Sequence, residues 1–437
     1  MKRTAPWRGY DPRQFRTPQF DRSPLDPRFG DDGATLLSGH SFYRLHVQEL
    51  TVDSNGYVYA GVTATHGDKS WHVGVARLTP DGQIDTTFGP RGDGLALVPI
   101  DAHATRATPV LYPDGRILLQ FNMALRDPFI APYVPMFIRF SPDGTIDPRF
   151  GSGGRFAPVL HGFHPLSSGG TDVAIADDGS ITMFARGYRL NYEPNAFVIR
   201  VTESGHLDTG FHGTGFLPLL FPPPFSDLYP RAAWGTMLPD GRYLVVGEGS
   251  EFSFARRYDS DGNWDRTYGT DGNCILPFEG ESPGTPASLS GVVFRDGGRF
   301  IAVGEVQSAW ISMLAGIDAE GGADATFHGG EVVETPTYAR GCLFTRCLPD
   351  ANGSVTVAGT WETRVADTGG LISARYLGDG SLDLGYGDRG FTRIDGPGLI
   401  ISRGAARQPG QGILHSAQLL MSPYLNCGVI MRLAGRD

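Results

Sequence analysis

The chain has 437 residues and a formal net charge of −10, and 19% of its residues are charged. Its 61 glycines and 32 prolines favour many short strands joined by tight turns and exclude a protein built from long helices. An acidic chain also argues against nucleic-acid binding, because neutralising phosphates requires a basic surface. No run of about 18 apolar residues is present, so we predict no membrane span.

The N-terminal segment differs in composition from the rest of the chain. Residues 1–28 contain seven Lys or Arg and three Asp. We predict that residues 1–24 form a basic, Pro- and Arg-rich extended arm, which packs either on the acidic body of the same chain or on a partner. No apolar stretch follows the first charges, so we expect no ordinary secretory signal and a cytoplasmic protein, with unconventional export left open.

A motif in which an aromatic ring follows an Asp by three positions occurs seven times, at intervals of 57 to 62 residues. The first copy is Leu25-Asp26-Pro27-Arg28-Phe29-Gly30. A fixed period of this length indicates a repeat architecture. The seven pairs are Asp26 and Phe29, Asp85 and Phe88, Asp147 and Phe150, Asp208 and Phe211, Asp265 and Tyr268, Asp324 and Phe327, and Asp383 and Tyr386.

Each unit contains the pattern of four antiparallel strands. The first strand follows the Asp motif and commonly ends near proline, which cannot donate a ladder hydrogen bond, so we place that strand at the outer edge. A turn such as Pro113-Asp114-Gly115 joins the second and third strands. The pattern predicts an all-β fold over residues 25–437, a seven-bladed β-propeller of four-stranded antiparallel blades.

The ends of the chain predict how such a ring closes. The last strand, residues 428–433, stops where an eighth Asp motif is due. We therefore expect the N-terminal strand, residues 34–38, to pair with the C-terminal blade and close the ring.

The repeats resemble those of the bacterial delta-60 repeat family. The resemblance is carried by Pro80–Gly89 (PDGQIDTTFG) and Pro142–Gly151 (PDGTIDPRFG) and extends from about residue 25 to the C-terminus. It implies a β-propeller and supplies no catalytic residues, since the family is largely of unknown function. The chain departs from the pattern at His212 and His328, where the motif has Gly, and in a weak sixth unit, residues 319–329.

The seven Asp residues have either a catalytic or a structural interpretation. An Arg stands eight positions before most of them, for example Arg139 before Asp147, while the sixth unit has Gly316 at that position. Seven equivalent carboxylates do not make one active site, so we predict structural Asp–Arg ion pairs. We assign no catalytic residue.

Histidine and cysteine provide no clear metal or cofactor site. His212 and His328 replace Gly at a turn where a left-handed backbone is expected, a conformation that His tolerates; the alternative, metal binding, lacks ligands at suitable spacing. The four cysteines show no Cys-x-x-Cys pairing and are expected to be free thiols, with a Cys342–Cys347 disulfide as the alternative. We predict no metal and no cofactor.

The predicted strand order divides the turns between two faces. The Pro-Asp-Gly and Asp-motif turns share one face, which we call the uniform face; the irregular loops share the other, which we call the variable face. Irregular loops on a rigid scaffold are frequent binding sites, and Trp, Tyr and Arg are enriched in binding hot spots. The predicted binding residues are Trp71, Arg126, Tyr133, Tyr188, Arg189, Tyr192, Phe225, Tyr229 and Trp361.

These observations favour a non-enzymatic scaffold, expected to be a monomer, that recognises a protein partner through the variable face. Two alternatives remain open: a hydrolase or lyase with a site at the central channel, and a carbohydrate-binding propeller. A further interpretation is that the rings only pack their own loops. The residues inspected for the enzyme alternative are His161, His164, Arg231, Glu248 and Glu305.

Overall fold

The computed structural model describes most of the chain after residue 23. The described ranges are 24–37, 42–66, 70–124, 133–161, 163–164, 172–189, 194–219, 232–248, 252–276, 278, 288–306, 311–335, 341–350, 352–362, 369–395, 399–422 and 425–434. The predicted N-terminal arm, apart from Pro24, lies outside these ranges. Within them the regular structure consists of strands and two short 3₁₀ turns, with no α-helix. No described helix is long and apolar enough to cross a membrane.

The strands follow the predicted repeating pattern. The strands of the first part of the chain are β1 (Ala34–Leu37), β2 (Phe42–Val52), β3 (Val58–His66), β4 (Trp71–Leu78), β5 (Leu95–Ile100), β6 (Ala104–Leu111), β7 (Ile117–Ala124), β8 (Tyr133–Phe140), β9 (Arg155–Phe156), β10 (Phe163–His164), β11 (Asp172–Ile175), β12 (Ile181–Arg189), β13 (Pro194–Val201) and β14 (Phe216–Pro218). Those of the second part are β15 (Ala232–Met237), β16 (Tyr243–Glu248), β17 (Ser253–Tyr258), β18 (Cys274–Leu276), β19 (Ser288–Arg295), β20 (Arg299–Val306), β21 (Ile311–Ile317), β22 (Val333–Glu334), β23 (Gly341–Pro349), β24 (Val355–Glu362), β25 (Gly369–Tyr376), β26 (Phe391–Asp395), β27 (Leu399–Gln408), β28 (Gly412–Ser422) and β29 (Leu425–Arg432).

The prediction of seven four-stranded blades is wrong. Among the described residues, five sheets stand as separate blades, four with four strands (β6–β9, β15–β18, β19–β22 and β23–β26) and one with five. In the five-stranded sheet β10 and β11 both pair with β12, because the leading strand is interrupted. The other eight strands belong to one continuous sheet, β27-β28-β29-β2-β3-β4-β5, with β1 also paired to β29.

The eight-stranded sheet exists because two strands approach closely at Gly428. Leu45 of β2 and Cys427 of β29 form a parallel bridge. A Cβ atom at Gly428 would lie 2.3 Å from Cγ2 of Val47 and 2.7 Å from its backbone nitrogen. Only glycine leaves room for this contact, which the spacing of the repeats does not reveal.

Residues from the two ends of the described chain lie side by side in this sheet. β1 pairs antiparallel with β29, from Ala34 opposite Met431 to Leu37 opposite Gly428. The Asp26 backbone N–H also donates to the carbonyl of Arg432 at 2.9 Å. The N-terminal strand therefore fills the edge position that the C-terminal strands leave open.

The leading strands of neighbouring sheets pack on one another. β2 contacts β6, β6 contacts β11, and the series continues through β15, β19, β23 and β27, which contacts β2 again. This closed circuit surrounds a central channel, as in a β-propeller. The strand that follows each Asp motif lies at the far end of its sheet, as its prolines predict.

The predicted Asp–Arg ion pairs are confirmed. Each Arg lies on the strand before the Asp motif, within ion-pair distance of the motif's carboxylate, and its guanidinium lies over the motif's aromatic ring, 4.5 Å from the centroid for Arg77 and Phe88. A desolvated, hydrogen-bonded pair of this kind fixes the turn to its strand. The pairs are Arg77–Asp85 at 2.7 Å, Arg139–Asp147 at 3.0 Å, Arg200–Asp208 at 3.1 Å, Arg257–Asp265 at 2.8 Å, Arg375–Asp383 at 2.6 Å and Arg432–Asp26 at 3.0 Å.

The same arginines connect successive units. Nη1 of Arg139 donates to the carbonyl of Glu203 at 2.5 Å, and Nη1 of Arg257 donates to that of Ala319 at 2.8 Å. The weak sixth unit lacks the usual Arg, and a Cβ atom at Gly316 would lie 2.7 Å from that of Phe327. There Arg295 donates to the carbonyls of Gly353 and Gly378 instead, at 3.2 and 2.8 Å.

The turn and thiol predictions also hold. His212 and His328 have φ values of 50° and 52°, in the left-handed region predicted for them. The four cysteines are free, so the alternative Cys342–Cys347 disulfide is absent. Burial raises the pKa of the Cys274 thiol to about 12, which suits an inert packing residue.

Candidate functional site

The candidate site lies on the variable face, at the end of the sheets where the leading strands begin. The antiparallel pairing places the starts of β2, β4, β6 and β8 at this face. Most of the irregular loops lie outside the described residues. The site is therefore defined by residues at the strand ends.

Three aromatic rings meet at this position. Trp71 begins β4, Tyr133 begins β8, and His103 directly precedes β6. The rings of Trp71 and His103 are 4.9 Å apart at an interplanar angle of 80°, and those of His103 and Tyr133 are 6.5 Å apart at 64°. Edge-to-face contacts of this kind hold aromatic residues in fixed orientations. All three side chains are half-buried, so each keeps a part of its surface for a ligand.

Four cationic or titratable side chains lie next to these rings on three adjacent leading strands. β2 contributes Arg44 and His46, β6 contributes Arg106, and β27 contributes Arg403. β2 packs against both β6 and β27, so the four residues share one sector of the channel wall.

Local irregularities in the strands bring these side chains to the channel. The pairing register of β6 shifts between Thr105 and Thr108, and that of β27 shifts between Ser402 and Gly404. Arg106 and Arg403 are the residues at these bulges, and both are exposed. A bulge redirects a side chain and is over-represented beside functional sites. Arg106 also has φ of 53°, an uncommon conformation for a residue with a side chain.

Charge interactions connect the residues of this sector. Burial, followed by the positive charges of Arg403 and Arg44, lowers the pKa of His46 to about 4. Burial also lowers the pKa of His103. Both imidazoles are therefore neutral near pH 7, and each can donate one hydrogen bond and accept another.

An acidic side chain on the same wall already has a cationic partner. Nε of Arg346, on β23, donates to Oε2 of Glu49 at 2.9 Å. This contact reaches past β27, which lies between β23 and β2 in the ring of leading strands. The carboxylate of Glu49 is held in the channel by that arginine.

The predicted binding residues that the structure describes do not share one environment. Trp71 and Tyr133 are brought together through His103. Trp361 was predicted to be a variable-face residue, but its side chain is only 7% exposed, because it packs in the core with the guanidinium of Arg393 5.0 Å from its ring. The backbones of Tyr188 and Arg189 end β12 opposite β10. Four further predicted residues lie outside the described ranges: Arg126, Tyr192, Phe225 and Tyr229.

The residues inspected for catalysis do not form one group among the described residues. Glu248 ends β16, and Glu305 lies one residue before the end of β20, in a different sheet. His161 lies in an exposed turn, and His164 belongs to β10. Arg231 lies outside the described ranges. Within those ranges, no three metal-ligating side chains are grouped closely enough to hold an ion.

Five residues of the candidate site were not predicted from the sequence: Arg44, His46, His103, Arg106 and Arg403. One signal was available in β2, whose sequence FYRLHVQELTV alternates polar and apolar residues. Alternation in a strand expected to be innermost places Arg44 and His46 on the channel side. The bulges that expose Arg106 and Arg403 have no comparable sequence signal.

A second cavity lies on the uniform face, with a volume of about 680 Å³. Ala176 lines it and accepts the turn hydrogen bond of Gly179, as Tyr112 accepts that of Gly115 in the preceding unit. The Tyr112 ring lies 5.8 Å from the guanidinium of Arg139 and shields its ion pair. At the position of Tyr112 this unit has the smaller Ala176, which leaves part of the cavity without a ring.

The comparisons with known proteins agree with the propeller architecture. A family model described as "Domain of unknown function (DUF5122) beta-propeller" matches residues 54–88. No curated protein matches the chain. The family match covers a small part of the chain and carries no activity with it.

Several solved propeller structures are similar at low identity. They include a PL25 ulvan lyase bound to -[GlcA(1-4)Rha3S]- (10% identity, TM-score 0.46, 92% of this chain and 96% of that one) and the propeller domain of the trilobed protease from Pyrococcus furiosus (11%, 0.44, 86% and 91%). Prolyl oligopeptidase B from Galerina marginata is also similar (10%, 0.46, 86% and 47%). These likenesses transfer no function. The chain has a β-propeller fold, with a short match to a propeller family of unknown function.

Proposed function

We propose that this protein is a non-enzymatic binding scaffold that recognises a protein partner through the variable face of the propeller. The observation that carries the proposal is the cluster of Trp71, His103 and Tyr133 on the variable face, with the exposed Arg106 and Arg403 on the leading strands β6 and β27. Trp, Tyr and Arg dominate the energy of protein interfaces, because large rings and guanidinium groups bury much surface while losing little conformational freedom.

The rigidity of the supporting strands favours this role. Trp71 pairs with Ile100 of β5 and Thr65 of β3, and Tyr133 pairs with Ala124 of β7. Rings anchored on hydrogen-bonded strands are positioned before a partner arrives, so binding costs little ordering entropy.

The proposal also covers the repeat family, the cellular location and the oligomeric state expected from the sequence. We infer that the units are delta-60 repeats and that the protein is a cytoplasmic monomer. The four free cysteines support a reducing compartment. Cell fractionation and light scattering of the purified protein test these points.

Affinity capture from a lysate of the source organism, followed by titration of the purified partner, tests the main proposal. A Trp71→Ala/Tyr133→Ala variant should lose at least tenfold in affinity, because two hot-spot rings are removed. The matched control is Leu384→Ala, which removes a side chain that is 70% exposed in an Asp-motif turn of the uniform face, and it should bind as the wild type does. Equal affinity for all three proteins would contradict the proposal.

A further inference from the structure

We propose that the channel contains an anion-binding site, formed by Arg403, Arg106, Arg44 and His46, for a ligand that carries two or more carboxylate or phosphate charges. The inference depends on the proposed function only for the source of that ligand, which is then an acidic segment of the partner. The site itself rests on the side chains of the channel wall.

The first argument is the convergence of like charges from three strands. β27, β2 and β6 are consecutive in the ring of leading strands, and each presents a cation near the variable face. Arg403 and Arg106 are close enough that the charge of Arg106 lowers the pKa of Arg403. Gathering cations in this way costs free energy, which a bound multivalent anion recovers.

The surroundings of Arg403 provide the second argument. Its side chain is exposed to solvent, yet burial among protein atoms is the largest cause of its lowered pKa. The side chain stands at the bulge of β27, one of the leading strands that surround the channel. An ion pair formed there is stronger than one on the open surface, because the surrounding protein lowers the local dielectric constant.

His46 provides a hydrogen-bonding group at the same place. Its Nε2 atom is buried and has no hydrogen-bond partner in the described part of the chain. The neutral imidazole carries one N–H, which can donate to an anion without adding charge. A buried polar atom without a partner is costly in a folded protein, so a ligand whose binding shifts this wall enough to reach the imidazole would recover that cost.

The nearby carboxylate does not neutralise the site. Glu49 lies beside the bulge of β27, where its Oε2 would be 2.6 Å from a Cβ atom at Gly404. Arg346 binds that carboxylate at 2.9 Å. Glu49 is therefore paired with Arg346, an arginine outside the proposed site.

The chemistry of the wall defines the ligand class. A guanidinium group donates two parallel hydrogen bonds and matches the oxygens of a carboxylate or phosphate. Several guanidinium groups discriminate in favour of multivalent anions over chloride.

Calorimetric titration with citrate and with inorganic phosphate, at constant ionic strength set by sodium chloride, tests the site. We expect the wild type to bind citrate, and Arg403→Gln to bind it at least tenfold more weakly. Arg91→Gln is the matched control: it removes the same charge from an exposed side chain in a turn of the uniform face and should change the affinity less than twofold. Circular dichroism and melting temperature establish that each variant is folded, and His46→Ala provides a second, uncharged probe of the site.

Competition with a hexaglutamate peptide and its hexaglutamine analogue then distinguishes the two sources of the anion. Displacement of citrate by hexaglutamate alone identifies an acidic protein segment, and no displacement identifies a free small anion; both results support the site. Citrate binding that is absent, or equal in wild type and Arg403→Gln, overturns it. Partner capture that depends on Trp71 and Tyr133 is measured separately, so failure of either proposal leaves the other testable.

Discussion

Arg432 and Asp26 form a buried ion pair between the two ends of the described chain. Nη2 of Arg432 lies 3.0 Å from Oδ2 of Asp26, although 406 residues separate them in sequence. Nη1 of the same arginine donates to the carbonyl of Pro80 at 2.8 Å. One guanidinium thus holds the C-terminal strand, the N-terminal Asp motif and the next unit together.

We predict that Arg432→Ala destabilises the protein by about 3 kcal/mol, because it leaves the carboxylate of Asp26 buried without its inner partner. The control is Arg28→Ala. Arg28 binds the same carboxylate from the solvent side with 76% of its side chain exposed, so its loss should cost less than about 1 kcal/mol. Urea unfolding gives both values. Equal losses for the two variants would show that the pair has no special role in joining the ends.

Stability should fall with pH as the Asp-motif carboxylates are protonated. Hydrogen bonds from Arg149 are the largest cause that lowers the pKa of Asp147 to about 2, with the charge of Arg139 adding to the effect. A depressed folded-state pKa contributes stability that is complete above the unfolded pKa, near 4, and is lost as the pH falls through about 2.

The contribution of Asp147 should be about 2 kcal/mol. The wild type and Asp147→Asn should therefore differ less in their free energy of unfolding as the pH is lowered from 5 to 2. Urea unfolding at each pH measures this difference. Asp101→Asn, at an exposed position, should follow the wild type throughout. If the free energies of unfolding of wild type and Asp147→Asn change in parallel with pH, the stabilising effect of the lowered Asp147 pKa is contradicted.

Arg295 should replace the missing arginine of the sixth unit. Its side chain is 6% exposed, and its Nη2 donates to the carbonyls of Gly353 and Gly378. Arg295→Leu should destabilise the protein by about 2 kcal/mol, because these carbonyls lose a charged donor. Arg299→Leu removes a more exposed arginine 3.9 Å from Asp324 and should have a smaller effect. Thermal unfolding compares the stabilities of the two variants. If Arg295→Leu is as stable as the wild type, Arg295 does not take the structural role of the missing arginine.

Filling the cavity at Ala176 should stabilise the protein. The Arg139 and Asp147 side chains are 3% and 1% exposed, whereas those of Arg200 and Asp208, in the unit with Ala176, are 21% and 27% exposed. Ala176→Tyr restores the ring found at Tyr112 and should add about 1 kcal/mol to the free energy of unfolding. Ala176→Ser leaves the space empty and should add nothing. A destabilised tyrosine variant would mean that the cavity does not accept the ring.

The repeat, the strand pattern and the turn chemistry could be predicted from the amino-acid sequence alone. The Asp–Arg pair, of which Asp147 and Arg139 are one example, recurs at a fixed spacing. The left-handed turns at His212 and His328 are predicted because other units have glycine at the same position. These features depend on residues close together in sequence, where hydrogen-bond geometry is set by the local backbone.

The division of the strands into sheets and the position of the candidate site depend instead on tertiary packing. The contact of Gly428 with Val47 merges strands from both chain ends, so seven repeats do not give seven separate sheets. Likewise Trp361 is a core residue, while Arg403, His46 and Arg106 meet in the channel although they are far apart in sequence. Close backbone approach, bulges and the meeting of distant strands are properties of packing, which sequence spacing does not encode.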